Sequence, residues 1–326
     1  MTAARRKVLP IPRMRPGEGR ECSLHASLAA STGADYDELM GASGAAFTTT
    51  IDAATWDPIA AAPLDADTLD RAARAAGVRV DRVTPPFEAD MQELVVERVI
   101  EAIEAKLPPL IRGAVGPAEF GLIVGYDLGP RGDGATHDPA FLVRTFFDRG
   151  EEPTRIGWDA FVAEGHGEPF FLDPGERPAK DALARQAISL AVAAAADSER
   201  AIAAWLEGLR DPERWNDPKH VGSGAFADHA MRTILADKRR AGARYLRSAR
   251  GNVEPRVGAD LLRAAEAYGH VVDAAERAGV GPFDPAAAMR FAEGGQRRAW
   301  ANLLETAVKR EADAHEALRS AQTSLR

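Results

Sequence analysis

A change of pattern near residue 178 constrains this chain more than any other feature. Before it lie the β-branched and aromatic runs and most of the turn signals; after it the sequence is rich in Ala, Arg, Glu and Leu at helical spacing. The junction, Asp173-Pro174-Gly175-Glu176-Arg177-Pro178, has the composition of a linker. With 326 residues the chain is long enough for two hydrophobic cores. The expected organisation is an α+β domain over residues 1–175 and an all-α helical bundle over 178–326.

In the first part, helices are expected over 22–31, 36–40, 65–76 and 88–106. The third ends at Gly77, a residue suited to the left-handed stop of a helix. The fourth places Met91, Leu94, Val95, Val99 and Ile103 on one face. Strands are expected at 46–50, 78–83, 109–111, 120–126 and 141–147, with 170–172 closing the sheet. Val78 to Val83 alternates strictly, whereas Phe120 to Tyr126 is nearly all apolar, as in a central strand buried on both faces. The Gly/Asp/Pro-rich stretch 127–139 reads as a loop. The basic start, Arg5-Arg6-Lys7, runs at once into Pro10 and Pro12 with no apolar core behind it, so it reads as the approach to an edge strand, not a signal peptide. Helices first and strands afterwards argue for α+β over an alternating α/β fold.

The second part divides into four long helices near 178–209, 219–250, 257–279 and 285–324, with Pro212, Pro218, Pro255 and Pro282 between them. Asp284 before Pro285 suits an N-cap followed by proline at the first helical position. Long helices joined by short loops pack as a bundle. The five tryptophans, at 56, 158, 205, 215 and 300, show no regular spacing and read as core or interface anchors.

Composition narrows the function classes. A net charge of -8 argues against a nucleic-acid partner, which needs Lys and Arg in excess. The local basic run Lys238-Arg239-Arg240, beside Asp237, reads as a solvated helix face. The longest apolar run, 188–196, is mostly alanine and about half the length that crosses a bilayer, so no membrane partner is expected. One cysteine rules out an intrachain disulfide and a Cys-based zinc site, and fits a reducing, cytoplasmic compartment. The seven histidines are scattered, without a His-x-x-x-His pair, and neither a metal nor a cofactor is expected.

The single thiol is the first candidate for chemistry. Cys22 follows the polar Arg15-Pro16-Gly17-Glu18-Gly19-Arg20-Glu21 and precedes the helix that opens Ser23-Leu24-His25-Ala26-Ser27-Leu28. At that place the positive end of the helix dipole lowers a thiol pKa; a small, inert core cysteine is the alternative. The small residues Gly41 to Ala46 turn the backbone tightly, where Ser43 and Gly44 would offer N–H donors to an oxyanion or a bound carboxylate, or would simply pack. They do not form a phosphate loop, because no Lys-Ser/Thr follows.

Cys22, the helix after it, Gly33, the short helix and then Leu39-Met40-Gly41-Ala42-Ser43-Gly44-Ala45-Ala46-Phe47 resemble a set of bacterial proteins. Those are similar in turn to bacteriocin-processing-type, papain-like cysteine peptidases and to the N-terminal domain of the butirosin-pathway acyltransferase. Pro109-Leu110-Ile111 and Gly116-Pro117-Ala118-Glu119-Phe120-Gly121-Leu122-Ile123-Val124-Gly125-Tyr126-Asp127 extend the resemblance, which covers roughly 15–175. It implies a papain-like domain with Cys22 as a nucleophile that forms a thioester. Glu119 stands where the peptidases carry the catalytic His, and Asp148 near the third member. Ser43, Gly44 and Tyr126 would contact a small-molecule, peptide or acyl-carrier substrate.

Glu119 is the departure. With an ordinary pKa of about 4.3, a carboxylate is a poor base toward a thiol of about 8.5, and as an anion it raises the thiol further. Burial can lift a carboxylate into a useful range. Asp148 has a plainer alternative, capping a turn before Arg149-Gly150. His25, three residues after Cys22, and His137, in the 127–139 loop, are alternative imidazoles; His166, between two glycines, reads as an exposed turn residue. Three readings follow: a thiol hydrolase or acyltransferase, a papain-like binding module without catalysis, and a protein that self-associates through its alanine-rich helices.

Overall fold

The computed structural model describes residues 6–52, 56–57, 66–129, 139–163, 167–216 and 218–325. It is α+β and forms two compact units. A sheet unit comprises Met1–Arg15, Ser23–Ala34 and Ala76–Arg177; a helical unit comprises Pro16–Cys22, Asp35–Ala75 and Pro178–Arg326.

In the sheet unit the strands are β1 (Arg6–Val8), β2 (Val78–Arg82), β3 (Leu110–Arg112), β4 (Phe120–Asp127), β5 (Ala140–Arg144), β6 (Thr154–Gly157) and β7 (Glu168–Pro174). They form one antiparallel sheet in the order β2-β7-β3-β4-β5-β6, with β1 paired to β4. Every residue of β4 is buried, as its apolar run requires. Gly125 is needed there because a Cβ would lie 2.3 Å from the Lys7 carbonyl of β1. Helix α1 (Ser23–Thr32) packs against β3 and β4. Between β2 and β3 runs α4 (Ala89–Glu104), whose Val95, Val99 and Ile103 meet Ile111, Ile123, Phe141, Val143 and Phe171 in one core.

Two expectations change in this unit, and two elements are added. Residues 170–172 do not close the sheet: β7 lies inside it between β2 and β3, because Phe170, Phe171 and Leu172 are apolar toward both faces. The strand expected over 141–147 stops at Arg144, where the Asp148 carboxylate accepts the Thr145 N–H and turns the chain. Strand β6 and the short helix α5 (Trp158–Ala163) were not foreseen. Most of the 127–139 stretch, including His137, lies outside the described residues, as does His166.

The helical unit holds α2 (Tyr36–Ser43), α3 (Ala66–Ala76, whose last residue falls in the sheet unit), α6 (Lys180–Arg210), α7 (Pro212–Asn216), α8 (Pro218–Ala249), α9 (Pro255–Ala278), α10 (Pro285–Ala292) and α11 (Gly295–Ser324). The single helix expected over 285–324 is two, because Gly294 takes the left-handed conformation (φ 86°) between α10 and α11. Asp284 does cap α10, accepting the Ala286 N–H at 2.9 Å. Trp56, Trp205, Trp215 and Trp300 sit in this unit's core, and Asp228 accepts both the Trp205 and Trp300 indoles, at 2.9 and 3.0 Å.

Residues 41–49 join the helices through polar and close-packed contacts. A Cβ on Gly41 would fall 2.1 Å from the Tyr245 ring. Gln186 donates to the Ala42 carbonyl, and the Thr49 N–H to Ser198. Buried Arg239 reaches the Ala46 carbonyl and the Thr49 hydroxyl, each at 2.7 Å, while pairing with buried Glu311. These bonds also explain why 46–50 is not a strand: Ala45–Phe47 is a 3-10 turn, and the chain after it bonds to side chains of α6 and α8. Among the described residues no helix is long and apolar enough to cross a membrane.

Candidate functional site

Cys22 belongs to the helical unit, where it lies in a buried polar cluster. It is 3% exposed. Its N–H donates to the Tyr36 hydroxyl at 3.3 Å, and that hydroxyl donates to Asp237 Oδ2 at 2.6 Å. The same carboxylate oxygen accepts the Glu21 N–H at 3.0 Å. Lys238, next along α8, donates from Nζ to the Thr48 carbonyl at 3.2 Å. The Glu21 carboxylate in turn accepts the N–H groups of Gly17 and Gly19, whose φ values of 85° and 87° curl the chain around it.

Burial dominates the electrostatics of this cluster. Desolvation pushes the Cys22 thiol up to about 12; Lys238 and Tyr36 act in the other direction but do not offset it, and Asp237 and Glu21 reinforce it. This reverses the lowered thiol pKa expected at a helix start. Desolvation also brings the Lys238 ammonium down to about 8, and it raises the carboxyl groups of Asp237 and Glu21. Below pH 8 the pair is therefore a thiol beside an ammonium ion; between 8 and 12 both groups are neutral.

The solvated helix face expected at Asp237 and the basic run after it is a buried one. Asp237, Lys238 and Arg239 are not a solvated face: they are 2%, 2% and 0% exposed. Charged residues are rarely buried without partners, and each of these three has them. The signal was the spacing of α8: Met231, Leu235, Lys238, Gly242 and Tyr245 recur at four- and three-residue steps, so Lys238 falls on the inward stripe. Tyr36 and Glu21 carried no comparable signal.

Glu119, Asp148 and Tyr126 lie in the other unit, so the six site residues proposed from sequence divide between two bodies. Glu119 directly precedes β4. Burial raises its carboxyl pKa, while a hydrogen bond from the Ser23 hydroxyl lowers it; Ser23 Oγ also accepts the Phe120 N–H at 3.2 Å. Asp148 is fully engaged: Oδ2 pairs with Arg144 at 3.2 Å, and Oδ1 accepts from the Thr145 N–H and from the Thr145 and Thr154 hydroxyls. That is the turn-capping role, not the orienting of an imidazole. Tyr126 is buried in the α4-side core and donates to Glu104 at 2.6 Å, which helps to raise its own pKa to about 12 behind the effect of burial.

Ser43 and Gly44 do not present the expected N–H donors. The Gly44 N–H closes α2 onto the Gly41 carbonyl at 3.1 Å, the Ala45 N–H bonds to Ser43 Oγ at 3.4 Å, and the Phe47 N–H bonds to Gly44 at 3.0 Å. Gly44 is required by its φ of 87° and by Leu190, 3.0 Å from where a Cβ would stand. Tight packing accounts for the stretch. His25 is buried in α1 at 2% exposure.

No protein-family model matches this chain, and no curated protein matches it. The geometry itself carries the functional argument.

Proposed function

We propose that this chain is a papain-like binding module without catalysis, which recognises a small ligand or a peptide end. The observation that carries this reading is the state of Cys22: a thiol at 3% exposure, pushed up to about 12. At neutral pH such a thiol holds roughly a thousandfold less thiolate than an ordinary cysteine, and the thiolate is the nucleophile. Three further features support it. Glu119 stands in place of a base and is bonded to Ser23, Asp148 is committed to Arg144, and the N–H groups around Gly44 are used within their own turn.

The single thiol makes the test direct. Iodoacetamide alkylation, followed by mass spectrometry, is compared between the native chain and the chain in urea at one pH. Native modification slower by roughly a thousandfold supports the reading. Native modification as fast as in urea, or faster, overturns it.

One observation favours a second reading, acyl transfer through Cys22 to or from a carrier or small acceptor. Lys238 lies beside the thiol with its ammonium brought down to about 8. Its neutral amine would accept the thiol proton as a thioester forms, taking the part that Glu119 cannot. Its signature is alkylation that rises with an apparent pKa near 8 and is lost in Lys238→Met.

A further inference from the structure

A second buried polar cluster lies in the helical unit, built by α6, α8, α9 and α11. His315 of α11 stands at its centre, with Nδ1 2.8 Å from Glu199 Oε1 of α6. A carboxylate only accepts, so Nδ1 carries a proton. On the other side of the ring, Nε2 lies 3.6 Å from Glu311 Oε2, one turn back in α11. That separation is beyond a direct hydrogen bond. The second Glu311 oxygen is held by Arg239 of α8. Tyr268 of α9 completes the cluster: its ring meets the His315 ring edge-on at 6.5 Å, and the Arg239 guanidinium lies over it at 5.2 Å.

Three polar atoms in this cluster are shut off from solvent and make no hydrogen bond among the described residues: His315 Nε2, Glu311 Oε2 and the Tyr268 hydroxyl. Their three residues are each 0% exposed. A buried polar atom without a partner is uncommon, and three in one cluster point to a partner they share. Their chemistry says what it is. A neutral imidazole with its proton at Nδ1 presents a lone pair at Nε2, the carboxylate oxygen presents another, and the phenol has a proton to give. Two acceptors and one donor call for a guest that gives two protons and takes one. Arg239 already supplies the positive charge at Glu311, which disfavours a second cation, and Glu311 disfavours an anion.

We propose that a single water molecule is bound here, donating to His315 Nε2 and Glu311 Oε2 and accepting from the Tyr268 hydroxyl. About three hydrogen bonds is the usual complement of a buried water, and a polar gap wider than 3.5 Å is where one bridges. The water ties α9 to α11 and holds His315 in one tautomer. The competing arrangement, a proton on Nε2 bonded straight to Glu311, requires the 3.6 Å gap to close and leaves Tyr268 unpaired. The water site is independent of Cys22, so its loss would leave the binding-module reading standing.

The test is a crystal structure of the full chain at about pH 8, where an ordinary imidazole is neutral, at a resolution that shows ordered water. Nitrogen-15 spectra of the histidine side chains, with His315 assigned through His315→Gln, give its tautomer in solution. The expected result is one density peak at about 2.7–3.2 Å from all three atoms, with Nδ1 protonated and Nε2 bare. Tyr268→Phe removes one of three bonds but keeps the ring that stacks on Phe47 at 5.9 Å. It should shorten the residence time of the water, read by oxygen-17 relaxation dispersion, by about tenfold. No peak between the three atoms, a proton on Nε2 with Glu311 in direct contact, or a residence time unchanged in Tyr268→Phe would overturn the proposal. The crystal and nitrogen-15 results on the unaltered chain decide it even if a variant folds poorly.

Discussion

Lys238 shows what the buried cluster costs. Its ammonium leaves water, donates to the Thr48 carbonyl, and drops to about 8 from an ordinary value of 10.5. Below pH 8 the unfolded chain holds that proton more strongly, so the burial opposes folding by on the order of 3 kcal/mol. Between 8 and 10.5 the unfolded chain binds more protons at this site, so stability rises with pH. Cys22 acts oppositely. Its folded value of about 12 lies above the ordinary 9.0, so from pH 9 upward the native state binds more protons and stability falls. Together these predict a rise in stability confined to about pH 8–9. Lys238→Met should abolish that rise and be more stable than the parent at pH 7 by about 1–3 kcal/mol, as urea unfolding at pH 7 and 9 would measure. A variant less stable at pH 7, with the rise intact, would contradict this account of the residue.

Helix α8 organises the helical unit. It contributes Asp228 to the tryptophan core, Asp237 and Lys238 to the Cys22 cluster, Arg239 to the 46–49 segment and Tyr245 to the close contact over Gly41. Two substitutions probe this. Gly41→Ala improves the intrinsic propensity of α2, yet its Cβ would meet the Tyr245 ring at 2.1 Å. Steric overlap wins, and a loss of about 1–3 kcal/mol in urea unfolding is expected. Asp228→Ala strips the partner from buried Arg232 and from two indoles, and should lose about 3–5 kcal/mol, with Asp228→Asn losing less because an acceptor remains. Elements with a strong periodic pattern, such as α4 and β4, were legible because burial alone dictates them. The 3-10 turn at Ala45–Phe47 was not, since its form depends on bonds to α6 and α8 far along the chain. The break at Gly294 was legible in principle: a Gly-Gly pair in a helical pattern is a recognised stop.

At the scale of the whole molecule, the change of pattern at residue 178 coincides with one edge of the structural division, at Arg177/Pro178. What no local pattern revealed is that Pro16–Cys22 and Asp35–Ala75 belong with the helices. That assignment rests on pairings such as the Glu21 N–H to Asp237, 216 positions apart. The candidate site was legible to the same degree. A lone cysteine before a helix stands out in any reading, but its lysine, tyrosine and aspartate partners become visible only when α8 is folded against the N-terminal segment. Suppression of the thiolate by this cluster has a direct signature in the pH profile of Cys22 alkylation from pH 6 to 11. The rate should be slow and still rising at the highest pH, with an apparent pKa well above the ordinary 9.0. A fast rate that levels off near pH 8 would contradict it and would mark Cys22 and Lys238 as a working nucleophile and base.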